Sequence, residues 1–156
     1  MKILSEIPEQ VFCTDNIFAP RDMGNFITDP VVNKPHSGFW TSSKCNDTPF
    51  ISAWAEWCAN NDFPCGRNHF LLTPKKNIKV FEPEKIEDLR THPPALPMLS
   101  PYIDFAWYAQ MGYDGFHVSE KALSLTIGAQ RIFYAWNCES TFWFNYTWID
   151  CVEKIK

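Results

Sequence analysis

The sequence predicts an α+β fold in a single domain over residues 1–156. Three observations lead there. Apolar runs of strand length, bounded by Pro, Gly, Asn and Asp, recur about seven times. Only about three or four stretches have helical spacing, and all are short. The two kinds do not alternate as regular βαβ units, which separates this pattern from a parallel α/β sheet. The length suffices to bury one core without staples.

In chain order, residues 1–10 carry Glu6, Pro8 and Glu9 and read as a frayed lead-in. Val11 to Thr14 is a short strand closed by Asp15-Asn16. Residues 17–33, with Pro20, Gly24 and Pro30, form a long irregular connection of the kind that is more often functional than accidental. Residues 34–58 organise the rest. A Pro/Gly turn leads into the strand Phe39-Trp40-Thr41-Ser42, a polar loop follows, and Trp54, Trp57 and Cys58 then recur at helical spacing. Such a strand-to-helix corner can present N–H groups and hydroxyls to a ligand between aromatic walls. The alternative is an ordinary strand–loop–helix unit whose tryptophans are core.

His69 to Thr73 and Ile78 to Phe81 read as two strands of a hairpin or bent ribbon. Pro83-Glu84 opens a short helix that cannot pass Pro93 and Pro94. Residues 93–101 form a stiff linker. Tyr102 to Gln110 reads as an aromatic helix stopped by Gly112. Phe116 to Val118 is a strand, and Ser119 caps a short helix through Leu125. Arg131 to Trp136 and Thr141 to Ile149 are the last β-runs, with a tail too short for another element.

Composition excludes several classes. A net charge of −4 argues against tight, sequence-independent nucleic-acid binding. No stretch approaches a membrane span and no basic-then-apolar leader is visible, so the expected compartment is the cytoplasm. Aromatics make up 16%, which suits either a rigid core or a pocket for a planar ligand. The six cysteines contain no C-x-x-C pair, and the histidines at 36, 69, 92 and 117 show no metal spacing. No metal is expected, and the thiols are expected to be reduced. P-loop, G-x-S-x-G and G-x-G-x-x-G motifs are absent.

The sharpest chemical candidate is Glu139, in the run AWNCESTFWF. A carboxylate at the mouth of an apolar strand is either exposed or held by partners. If free beside a sugar, it can accept a hydroxyl and stabilise an oxocarbenium-like cation. His117 belongs to a nearby strand.

Taken in order, four segments resemble the ADP-ribosyltransferase family. They are Val11-Phe12-Cys13-Thr14, then Gly38-Phe39-Trp40-Thr41-Ser42 with the Trp54/Trp57 helix, then His69 to Glu82, and finally Gly112-Tyr113-Asp114-Gly115 with Glu139. The stretch from Lys34-Pro35 to Ser42 is also similar to that of small phage and bacterial proteins. The resemblance implies two small, packed, mainly antiparallel sheets with short flanking helices, and NAD⁺ in the cleft between them. It implies nicotinamide contacts at Cys13 or Thr14, walls at Trp40 and Trp54 beside Thr41, and catalytic roles for Glu139 and for Ser42, which braces it. The acceptor would be a protein or a nucleic acid. Cys13 stands where the family has Arg or His; Lys34, Arg21 or His36 would then supply the cation. The alternative is a non-catalytic binding module acting by protein–protein contact, as a phage or host factor does.

Overall fold

A computed structural model describes residues 1–18 and 26–156. Its strands are β1 (Lys2–Leu4), β2 (Gln10–Thr14), β3 (Phe39–Ser43), β4 (Asn68–Pro74), β5 (Val80–Glu82), β6 (Thr91–His92), β7 (Tyr102–Ile103), β8 (Gly115–Val118), β9 (Thr126–Ile127), β10 (Gln130–Arg131), β11 (Ser140–Trp143) and β12 (Ile149–Lys154). The α-helices are α1 (Ala53–Asn60) and α2 (Phe105–Gln110). Eight strands form one curled sheet in the order β1-β5-β8-β11-β3-β2-β4-β12, antiparallel except at β5–β8. The pairs β6–β7 and β9–β10 are separate two-stranded ribbons.

The fold is therefore β-rich, which corrects the α+β expectation of two packed sheets with flanking helices. The reason is β3. It pairs with β11 on one side and β2 on the other, so the two expected sheets are one. Both chain ends add edge strands where a frayed lead-in and a short tail were expected: Lys2–Leu4 pairs with β5, and Ile149–Lys154 with β4. The expected hairpin of β4 and β5 does not form, because β4 pairs with β2 and β12 while β5 pairs with β1 and β8. Two expected helices shrink to single 3₁₀ turns, Ile86–Asp88 and Ala122–Ser124. The expected strand at 131–136 is mostly turn.

Strand alternation sends side chains to two cores. Phe81, Phe116 and Phe142 pack on one face with Phe105 and Tyr108 of α2 and with Trp136. Phe39, Val80 and Trp143, each one residue out of phase, pack on the other with Leu72 and Trp148. Leu72 on β4 and Val80 on β5 share that second core although four strands separate β5 from β4. The sheet curls over it. Trp143 and Trp148 stack inside the curl at 3.6 Å.

Candidate functional site

A cavity of about 270 Å³ opens on the outer face of the curl, between β2, β3, α1 and the segment preceding β11. Val11, Cys13, Trp40, Ser42, Trp54 and Trp136 are among its walls. Ser52 sets the corner: its Oγ accepts the Ala55 N–H at 3.3 Å and starts α1 directly after the polar loop. The Trp54 N–H reaches Ser42 Oγ at 3.3 Å, tying the helix start to β3. Trp54 stacks on Trp57 at 5.2 Å with Phe63 against the edges of both, so α1 presents a rigid aromatic block.

Trp40 packs edge-on against Trp136 at 4.6 Å, and Lys34 Nζ lies 5.1 Å from the Trp40 ring. Asn33 fixes this side. It is buried with φ +54°, its side chain accepts the Ile103 N–H at 2.8 Å, and its carbonyl accepts Trp136 Nε1–H at 3.1 Å. Lys34 Nζ donates to the Ala135 carbonyl at 3.0 Å and has no carboxylate partner among the described residues. Burial pushes its pKa below the usual lysine value. Burial likewise pushes the Cys138 thiol of the same wall up to about 11, so it is protonated at neutral pH.

Glu139 is not part of this wall. By register it faces Ser43 from the inner side of the curl. Its Oε2 accepts Ser42 Oγ–H at 2.9 Å and the Ser43 N–H at 3.0 Å, and its Oε1 accepts Ser43 Oγ–H at 2.8 Å. Beyond it, His117 Nδ1 is 3.5 Å from Glu139 Oε1 and 2.9 Å from Thr141 Oγ1, while Nε2 is 3.5 Å from Glu82 Oε2. Burial lowers the His117 pKa, against the pull of Glu139 and Glu82. Ser42 thus joins two faces: the residue lines the cavity, and its buried hydroxyl is hydrogen-bonded to the carboxylate behind.

Of the residues singled out from the sequence, Cys13, Lys34, Trp40, Thr41, Ser42 and Trp54 line the cavity. Thr14 does not; its Oγ1 accepts the Asn16 N–H at 3.1 Å in the following turn. His36 is paired with Asp29. Arg21 lies outside the described residues. Sequence reasoning missed Trp136, Asn137, Cys138 and Ser140 on the wall, although they flank Glu139 directly. It also missed Ser43 and Glu82 around the carboxylate and the imidazole. Comparisons with protein-family models, with curated proteins and with solved structures find no match.

Proposed function

We propose that the cavity binds the nicotinamide–ribose half of NAD⁺ and that the protein transfers the ADP-ribosyl group to a macromolecular acceptor. The observation that carries this reading is Ser42, a residue of the aromatic cavity wall whose hydroxyl is hydrogen-bonded to the buried carboxylate of Glu139. Tryptophan faces suit a planar ring, and Lys34, which has no carboxylate partner among the described residues, suits a phosphate. The volume suits about one nucleoside, at the lower end of ligand cavities, so the adenosine half lies over the rim. In the reaction the bond from ribose C1′ to the pyridinium nitrogen breaks, and its electron pair leaves with nicotinamide. The acceptor's lone pair then bonds to C1′ and its proton passes to solvent. Ser42 touches the ribose; Glu139 lies one hydroxyl behind and stabilises the cationic sugar by its charge. The cytoplasm, with NAD⁺ and reduced thiols, is the compartment this reading requires. A net charge of −4 suits an acceptor recognised locally rather than a nucleic acid held by its backbone.

A second reading, a non-catalytic binding module acting by protein–protein contact, is favoured by the placement of Glu139. Both its oxygens are already hydrogen-bonded, and neither belongs to the cavity wall. Calorimetric titration of NAD⁺ with nicotinamide release measured in parallel separates the two. The enzyme reading expects saturable binding weakened about 5- to 150-fold in Trp40→Ala, the worth of one stacked ring. It expects Glu139→Gln to bind NAD⁺ but to release no nicotinamide. No binding at millimolar NAD⁺ refutes it and leaves the binding module.

A further inference from the structure

We propose that Cys13, Cys65 and His69, joined by Cys58, form a structural zinc site behind the cavity. The ligand atoms of Cys13, Cys65 and His69 all lie within 4.8 Å of one another. A tetrahedral site with Zn–S bonds of about 2.3 Å needs donors about 3.8 Å apart, so a small contraction closes the group on a metal. Cys58, buried on the last turn of α1 just before the connection that carries Cys65, is proposed as the fourth donor. Cys13, Cys58 and Cys65 are all free thiols.

The scaffold is built for this. Cys13 on β2 and His69 on β4 are direct partners in the antiparallel ladder, which sets two donors side by side. Cys65 comes from the irregular connection between α1 and β4, and Cys58 from the helix before it. His69 Nε2 is 3.0 Å from the Gly66 carbonyl. That is the outer partner a metal-bound imidazole keeps, and it leaves Nδ1 to ligate. Three thiolates and one imidazole are a soft donor set that selects zinc over magnesium or calcium. On binding, each thiol loses its proton to solvent. The metal joins β2, β4, α1 and the loop between, and Cys13 carries this anchor to the cavity wall.

The test is metal analysis of the whole protein purified under reducing conditions, followed by cobalt substitution. One zinc per chain is expected, together with the intense visible bands of tetrahedral thiolate-bound cobalt. Cys65→Ser and Cys13→Ser should each weaken zinc more than about 100-fold, beyond what losing an outer partner costs. Cys151→Ser, an exposed position on β12, should leave it unchanged. Cobalt titration of the unmutated chain needs no variant to fold. No metal bound with all thiols reduced, metal indifferent to Cys13 and Cys65, or a disulfide between those two would overturn the proposal.

Discussion

Gly38→Ala measures how tightly the turn before β3 is packed. Gly38 has φ +78°, and a Cβ built there falls 2.6 Å from Phe142 Cε2 and 3.3 Å from Phe26 Cβ. Gly112, after α2, has the same backbone at φ +79° with nothing within 4 Å. Alanine at either position meets left-handed strain of about 1–2 kcal/mol, partly offset by a less flexible unfolded chain, for a net of about 1 kcal/mol. At Gly38 the Phe142 ring must also move. It is fully buried between Phe26, Trp40 and Phe105, so overpacking adds about 1–3 kcal/mol. Gly38→Ala should therefore cost about 2–4 kcal/mol against about 1 kcal/mol for Gly112→Ala. That is a fall in melting temperature of about 4–16 °C against about 2–4 °C at this chain length. Urea midpoints and thermal scans of both variants read the difference. If Gly38→Ala is no worse than Gly112→Ala, the packing argument for the turn fails.

Thr41→Val should cost about 2–6 kcal/mol, because Thr41 Oγ1 donates to Gln10 Oε1 at 2.6 Å and accepts Trp143 Nε1–H at 2.7 Å, leaving two buried orphans. Thr41→Ser keeps both bonds, and urea unfolding that finds the two variants equal refutes the account. Burial holds the His117 pKa below its ordinary 6.5, so the unfolded chain binds the extra proton first as pH falls. Stability should be fully present above that value and decline below it, and His117→Gln should flatten the slope between about pH 7.5 and 5.5; an unchanged slope would assign the loss to other groups.

What the sequence makes legible is local. Val11 to Thr14, Phe39 to Ser42, His69 to Thr73 and Phe116 to Val118 are strands because apolar residues and turn formers alternate over a few positions. They appear in the fold with ends shifted by at most one residue. The Pro/Gly turn and the corner at Ser52 are equally local. Pairing is not. Nothing in the composition of β3 says that it has neighbours on both sides, and that one fact turns two sheets into one. Edge strands at 2–4 and 149–154 are short or mostly exposed, so they show no core-facing alternation to read. The thiol cluster escapes a search by spacing because Cys13 and His69 meet through the β2–β4 register, across 56 residues of chain.

The parity of Glu139 is the deepest of these non-local facts, and the proposed mechanism turns on it. Asn137-Cys138 breaks the alternation just before β11, so the sequence cannot say which face the carboxylate takes; the pairing of Thr141 with Thr41 fixes it opposite Ser43, inside the curl. The cavity lies outside. A carboxylate on the inner face answers to Glu82, His117 and Thr141, whereas the cavity wall holds Ser42, Trp40 and Lys34. The Ser42 hydroxyl has one proton, lying 2.9 Å from Glu139 Oε2 and 3.0 Å from the Glu139 carbonyl, and its oxygen already accepts the Trp54 N–H. It can offer a ligand little more than a remaining lone pair. A ribose hydroxyl is a donor suited to that lone pair, and the negative charge behind strengthens the acceptance. On the proposed reading, the same placement keeps the carboxylate from attacking the sugar itself. The charge and the hydroxyl are divided between two faces of one ladder, so on the proposed NAD⁺ reading transfer requires both, while the binding-module reading requires only the outer one.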